Sequence, residues 1–290
     1  MRIRAIVNPV AGTGDLRYRW PAIKSALEAA GTEISFTERK GHAEDLARSS
    51  AKDGVDCLVV VGGDGTLHEA VQGIALSETA LLPVPTGTGS DFVRCLPNMS
   101  IDSALEIAKS GNFERIDLGL AIWQNGMRYF LNILEIGFGS VVMDYVNSHK
   151  RTKGSFNRGV LASLIKLRPY ELTVESGEYS GNVSIIEMVI ANGRYFGGGM
   201  LASPVSSLKD GFLDVHMVAS MGRMSLISRF GSLRDGSYLS DARVRSFKTA
   251  SLRICGHAPM EADGEIMGSS PVEIRALSEA LKLISAKNPQ

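Results

Sequence analysis

Along the first hundred residues the hydrophobic positions fall into two alternating textures. Ile3 to Val7, Ile34 to Thr37, Cys57 to Val61 and Leu81 to Val84 are short, mainly apolar runs of strand length. Between them Pro21 to Ala30, His42 to Lys52, a segment opening at Thr66, and Ile101 to Lys109 space their apolar residues with helical period. Strands that alternate with helices predict a parallel sheet covered on both faces, with ligands gathered outside the carboxyl ends of its strands. Three glycine-rich loops, Asn8 to Gly14, Gly62 to Gly65 and Pro85 to Gly89, fall at those ends.

From about Ile116 the texture becomes a succession of β-like runs. Asp117 to Trp123, Tyr129 to Ile136, Glu171 to Glu175, Val183 to Asn192, Leu213 to Ala219, Ser251 to Cys255 and Val272 to Arg275 follow one another, the pattern of an all-β sandwich. The change places a boundary near Gly119: an α/β domain over residues 1–118 and a β-sandwich over 119–276, with the apolar tail 277–290 able to return to the first domain. A ligand cleft between the domains is the natural expectation. Asn147 to Arg168 interrupts the strands, carrying Lys150, Arg151, Lys153, Arg158, Lys166 and Arg168, while Phe156, Val160 and Leu164 recur at helical spacing beside Leu161 and Ile165. An amphipathic helix offering cations to anionic headgroups and a sandwich-packed helix with a solvated basic face both fit.

Composition narrows the field. The chain has 290 residues, enough for two domains, and 44% hydrophobic content, enough for a core in each. Lys plus Arg and Asp plus Glu both number 31, so no global basic field draws it to nucleic acid or lipid. Cys57, Cys95 and Cys255 lie far apart without metal-ligand spacing, which fits buried thiols in a reducing compartment. No apolar stretch reaches membrane-spanning length, and the N-terminus enters a strand pattern without a signal-peptide run, so a cytoplasmic protein that visits membranes only peripherally is expected.

The densest chemistry is Leu58 to Glu69, L-V-V-V-G-G-D-G-T-L-H-E. A buried strand delivering three glycines in four positions lets main-chain N–H groups converge on an anion. Asp64 would repel phosphate unless it holds a cation, so a phosphoryl donor with Mg²⁺ accounts for it; a tight turn is the plainer alternative. There is no G-x-x-x-x-G-K-[ST], no complete G-x-G-x-x-G, and no protein-kinase signature.

What remains is G-G-D-G-T with N-P-V-A-G-T-G upstream and P-T-G-T-G-S-D-F downstream, then N-I-L-E-I-G-F-G, A-N-G-R-Y-F-G-G-G-M, D-G-F-L-D-V and A-D-G-E. This ordered set resembles the diacylglycerol kinase catalytic family of bacterial lipid kinases, relatives of sphingosine and ceramide kinases and more distantly of NAD kinases. The resemblance implies a Rossmann-like nucleotide-binding domain followed by a sandwich, and an ATP-dependent kinase that phosphorylates a lipid hydroxyl, most simply diacylglycerol to phosphatidic acid. It implies nucleotide contacts from Asn8, Pro9, Gly12, Thr37, Gly62, Gly63, Asp64, Gly65, Thr66, Glu69 and Thr88. It further implies a catalytic set of Asp64, Asp263 and Glu265, with Glu265 or Asp263 as proton acceptor, and a second, structural Mg²⁺ held by Asp210 with backbone carbonyls near Ser207 and Phe212. Ser90 stands where the family often has Asn. From the residues alone, Asp263-Gly264 and Asp210-Gly211 are equally hairpin-turn pairs, Asp91 equally a helix cap, and Gly197 to Gly199 equally a bend or a close approach.

Phosphatidylglycerol, a sphingoid base or ceramide would offer the same kind of acceptor as diacylglycerol. A soluble NAD kinase and a non-catalytic nucleotide-binding module are the rivals, and a homodimer is left open.

Overall fold

The computed structural model describes residues 1–11, 15–86, 90–96, 100–149 and 154–284. In chain order the first elements are β1 (Ile3–Val7), α1 (Asp15–Ala29), β2 (Glu33–Phe36), α2 (His42–Lys52), β3 (Cys57–Gly62), α3 (Asp64–Ile74), β4 (Ala80–Pro85), α4 (Ile101–Lys109) and β5 (Phe113–Trp123). Then come β6 (Gly126–Phe130), β7 (Ile133–Gly137), α5 (Phe138–Asn147), α6 (Ser155–Ser163), β8 (Tyr170–Ser176), β9 (Ser180–Ala191), β10 (Tyr195–Phe196), β11 (Met200–Leu201) and β12 (Leu213–Ala219). The chain continues with α7 (Arg223–Arg229), β13 (Val244–Thr249), β14 (Ser251–Gly256), β15 (Pro259–Ala262), β16 (Glu265–Ser269) and β17 (Val272–Ile284). Two compact units result: Met1–Leu118 with Ser278–Gln290, and Gly119–Leu277.

In the first unit β1 pairs in parallel with β2 and β3, β3 with β4, and β4 with the end of β17 through Leu81 and Leu283. Every residue of β3 is buried, as a strand covered on both faces requires. Leu16, Ile23 and Leu27 of α1 and Leu105 and Ala108 of α4 close one core against Val7, Val59 and Leu82.

The second unit is antiparallel. The first half of β9 pairs with β8, and its second half lies between β7 and β12. β15 joins β7 to β16, β13 extends β12, and β14 joins β8 to β17. Its core contains Leu134, Ile136, Leu172, Val174, Met188, Ile190, Val215, Ile254 and Met260. Helices α5 and α6 pack together through Phe138, Val142, Val146 and Val160, with Leu226 and Phe230 against them.

Three expectations need correction. The Tyr129 to Ile136 run is two strands, β6 and β7, because the chain breaks at Leu131-Asn132 to receive hydrogen bonds described below. Val272 to Arg275 and Leu277 to Ile284 are one strand, β17, not a strand and a separate tail. In the 147–168 stretch the described helix is only α6, followed by a single 3-10 turn at Leu164–Lys166; Lys150, Arg151 and Lys153 lie outside the described residues.

Candidate active site

The carboxyl ends of β1 to β4 bring the phosphate-loop residues of the first unit together. The Asn8 amide donates to Val61 O at 2.9 Å, Thr37 N to Val7 O at 2.9 Å, and Thr86 N to Gly62 O at 2.9 Å, so the four strand ends stay in register as the chain leaves the sheet. Asn8 Nδ2 then donates to Thr66 Oγ1 at 2.8 Å, while Asn8 Oδ1 accepts the Val10 N–H at 3.1 Å. Pro9 lies exposed between them. Thr66 is buried in the first turn of α3, and a Cβ on Gly62 would come within 2.7 Å of the Thr66 Cβ, so only glycine fits there.

Helix α3 starts at Asp64, and its N-cap residue, Gly63, has no side chain with which to cap the first turn. Its N–H groups and positive dipole end suit an anion. Asp64 Oδ1 accepts the Asp91 N–H at 2.9 Å, tying the G-G-D-G-T loop to G-S-D-F. Buried Asp91 has its Oδ1 3.8 Å from Arg94 Nε. Ser90 sits at φ +53°, in the left-handed region where asparagine is more tolerated than serine. Gly12 and Thr88 lie outside the described residues.

Glu69 also serves the fold. Its Oε1 accepts the Gly41 N–H at 2.8 Å and its Oε2 the Ala43 N–H at 3.2 Å, so it caps the start of α2. His68 is buried within α3.

In the second unit the D-G-E segment is the β15–β16 hairpin. Ala262 pairs with Glu265 across Asp263 (φ +48°) and Gly264 (φ +89°), the two positive angles of a tight type I′ turn. The Asp263 carboxylate accepts three main-chain N–H groups, from Leu131 at 2.7 Å, Asn132 at 3.0 Å and Ile133 at 3.1 Å. Asn192 Nδ2 holds the Leu131 carbonyl at 2.7 Å, which places A-N-G-R behind the same loop. Asn147 Nδ2 donates to Gly264 O at 3.0 Å, and Gly264 N–H to Glu261 Oε2 at 2.7 Å. Asp263 therefore anchors the turn, and half-buried Glu265 is the acid the turn presents.

Asp210 is also committed. Its Oδ1 accepts the Phe212 N–H at 3.1 Å and its Oδ2 faces Lys248 Nζ at 2.6 Å. Ser207, Asp210 and Phe212, which the resemblance assigns to a structural Mg²⁺, lie together in the turn before β12. Among the described residues no group of three or more His, Cys, Asp or Glu side chains is arranged to hold a metal ion.

Three further acids have no role assigned from the sequence. Glu135 of β7 and Glu261 of β15 are a cross-strand pair, both buried, and Glu187 of β9 lies close by. Burial, and then the neighbouring Glu135, hold Glu187 and Glu261 well above the ordinary carboxylate range; burial raises Glu135 as well. Glu187 Oε2 accepts the Gly139 N–H at the start of α5, and a Cβ on Gly139 would come within 2.5 Å of Glu135 Oε1. Glu135 and Glu187 form part of the wall of a cavity of about 370 Å³, otherwise bounded mainly by apolar side chains of α5, α6, α7 and their neighbours, including Phe138, Phe156, Val160, Phe196, Leu226 and Phe230. The signal was present: Leu134-Glu135-Ile136 and Ile186-Glu187-Met188 each set one acid inside an apolar strand run.

Comparison with known proteins agrees with this arrangement. Residues 2–121 match the model of the diacylglycerol kinase catalytic domain, and residues 132–285 that of the YegS C-terminal NAD kinase beta sandwich-like domain. A diacylglycerol kinase of Mycobacterium tuberculosis is 28% identical over 310 aligned residues, covering 99% of this chain and 96% of the relative. A crystal structure of a diacylglycerol kinase from Bacillus anthracis superposes with TM-score 0.73 at 24% identity, covering 99% of this chain and 97% of that one. An NAD kinase from Archaeoglobus fulgidus, solved in complex with ATP, shares the fold at TM-score 0.60 and 14% identity, over 99% and 94%.

Proposed function

The chain belongs to the diacylglycerol kinase catalytic family and is a lipid kinase, and from that premise we propose that it transfers the γ-phosphoryl group of ATP to a lipid hydroxyl, with diacylglycerol the leading acceptor. The observation that carries the lipid side is the cavity of about 370 Å³ in the β unit, whose mainly aliphatic and aromatic wall suits an acyl chain and offers little to a nicotinamide dinucleotide.

In this reading the N-terminus of α3 receives the phosphates, and Thr66, fixed by Asn8, shapes the loop around them. Asp64 and Asp91 suit Mg²⁺, which takes one or two carboxylates together with phosphate oxygens and needs no all-protein cage. Asp64 would hold it, and a cation there would offset charge on the transferring phosphoryl group. Glu265 accepts the proton of the attacking hydroxyl, while Asp263 keeps the turn in place through its three amide hydrogen bonds. The hydroxyl must lose that proton as the P–O bond forms, so a positioned carboxylate acts directly on the reacting atoms.

Access to lipid fits a peripheral mode of membrane contact. No helix among the described residues is long and apolar enough to cross a bilayer. Leu161, Ile165, Met224 and Ile227 are exposed apolar side chains on α6, the turn after it and α7, and Arg223 Nη2 ties α7 to that turn through Ile165 O at 3.1 Å. Exposed Arg158, Lys166, Arg168 and Arg223 accompany them. Apolar side chains ringed by cations suit insertion into an anionic leaflet.

The direct test is labelled ATP with Mg²⁺ offered to a lipid-extract panel with NAD as a separate acceptor, the product being identified by mass. Labelled phosphatidic acid is the expected outcome. Labelled NADP, or no labelled lipid from any fraction, would reject the assignment.

A further inference from the structure

The turn that presents Glu265 is anchored by a second acid, Glu261, which has no part in the phosphate site. Ala262 and Glu265 close the two-residue turn, so the Gly264 N–H lies outside the ladder and needs an acceptor of its own. Glu261 Oε2 accepts it at 2.7 Å. On the other side of the same residue, Asn147 Nδ2 from the end of α5 donates to Gly264 O at 3.0 Å. Both peptide groups of Gly264 are thus gripped by side chains from outside the turn, and the second of them leads directly into Glu265.

Glu261 is itself fixed. It is 3% exposed, it stands opposite Glu135 on the neighbouring strand, and the two carboxyls share a hydrogen bond. Burial holds Glu261 well above the ordinary carboxylate range, so its carboxyl brings the proton to Glu135 and keeps an oxygen for Gly264. Directly behind this point the β15–β16 pairing slips by one residue, with Glu261 opposite Ile266 but Met260 opposite Gly268. A bulge there bends β16, so the direction of its first residue is not set by the ladder alone.

An apolar pair would hold a hairpin more cheaply. Two carboxyls taken out of water destabilise a fold relative to well-packed hydrocarbon of similar volume. What Glu261 and Glu135 add is a fixed acceptor one residue before the acid that reacts.

We propose that Glu261 is a positioning residue for the acceptor base: through the Gly264 N–H, and with Glu135 locking it from behind, it sets where the Glu265 carboxylate meets the attacking hydroxyl. The proposal rests on the reading of the chain as a lipid kinase with Glu265 as base. Asp263 and Glu261 then have separate tasks. Asp263 ties the turn to the main chain of Leu131, Asn132 and Ile133, whereas Glu261 fixes the residue beside the reacting side chain. Proton transfer needs heavy atoms about 2.6–3.2 Å apart, so a shift of about 1 Å in the turn is enough to lower turnover.

The experiment is steady-state kinetics of the full chain with ATP, Mg²⁺ and dioctanoylglycerol in mixed micelles, or whichever lipid the extract panel labels. Glu261→Gln keeps an oxygen for Gly264 and an N–H for Glu135, so it reproduces the protonated side chain and should hold kcat within about threefold of wild type. Glu261→Asp, one methylene shorter, should lose about tenfold or more in kcat, with KM for ATP and lipid within about twofold. The Glu135→Met, Glu261→Leu double variant leaves no orphaned acid, so it should keep its melting temperature while losing kcat to the same extent. In a Glu265→Gln background neither change should lower kcat by more than about another twofold, because a tether that acts through Glu265 has nothing left to position.

Wild-type kcat in both Glu261→Asp and the double variant overturns the proposal. So does a Glu261→Gln loss equal to that of Glu261→Asp, or a loss that multiplies with Glu265→Gln, either of which a merely structural role predicts. Should the double variant fail to fold, Glu261→Asp and Glu261→Gln decide between them. Absence of labelled lipid from the wild type removes the kinase reading and this proposal with it, whereas lipid phosphorylated at the wild-type rate by Glu261→Asp and the double variant removes this proposal alone.

Discussion

Three acids that look alike in sequence sit in different surroundings. Main-chain amides donate to Asp263 from Leu131, Asn132 and Ile133 and to Glu69 from Gly41 and Ala43, and Glu265 is half-buried at the strand start beyond the turn. A carboxylate that accepts several main-chain amides fixes the backbone that donates them. Glu265→Gln is therefore expected to cut kcat by 10²-fold or more, about what a general base contributes, with melting temperature and ATP affinity unchanged. Asp263→Asn should instead lower the melting temperature and leave part of the turnover; Asp64→Asn should cut kcat and raise the Mg²⁺ concentration needed. Equal kinetic loss in Glu265→Gln and Asp263→Asn, with no change in melting for either, would show that the roles are not divided this way. Ser90 adds a residue-scale detail: its left-handed backbone supplies a conformational reason for asparagine at that position.

At the level of elements, the phosphate-loop helices are set by short-range logic that the sequence displays. His42–Lys52 and Ile101–Lys109 form where the apolar period places them, and Ser100 caps α4 by accepting the Ser103 N–H at 3.1 Å. Helix α2 has no local cap; Glu69, 26 and 28 residues away, supplies it. Glu69→Ala should thus cost about 1 kcal/mol in urea unfolding, the usual effect of a lost cap, with a smaller loss for Glu69→Gln. A drop in ATP affinity without a stability change would return Glu69 to the nucleotide. Helix α5 is not legible in the sequence because F-G-S-V-V-M carries a glycine and two valines in its first turns, residues that favour strand or turn in isolation. What makes it helical is packing on α6 and the reception of its first amides by Glu187.

For the molecule as a whole, buried ionisable groups set opposing pH trends. His216, buried between the hydroxyls of Ser203 and Ser246 at 2.8 Å each, is pushed by burial from 6.5 down to about 4. The unfolded chain takes a proton there below about pH 6.5 while the folded chain declines it until about 4, so stability falls through that window, by roughly 3 kcal/mol. Glu135, Glu187 and Glu261 have the opposite sign. Their folded values lie above 4.5, so their stabilising contribution is present below about 4.5 and is lost as pH rises. Glu135→Gln should consequently stabilise the protein by about 1–2 kcal/mol at pH 8, with the gain shrinking toward pH 4.5 in urea titrations; a gain independent of pH would contradict the trapped-charge account. The sequence by itself determined the alternation of strands and helices, the change of texture near Gly119, and the glycine-rich turn after β3, because these depend on periodicity and on backbone freedom within a few residues. Only the tertiary structure decided that Glu69 caps a helix, that Asp263 anchors and Glu265 presents, and that Glu135, Glu187 and Glu261 converge from three strands beside one cavity. Those assignments depend on which distant amides and carboxylates meet, and strand pairing across more than a hundred residues sets that.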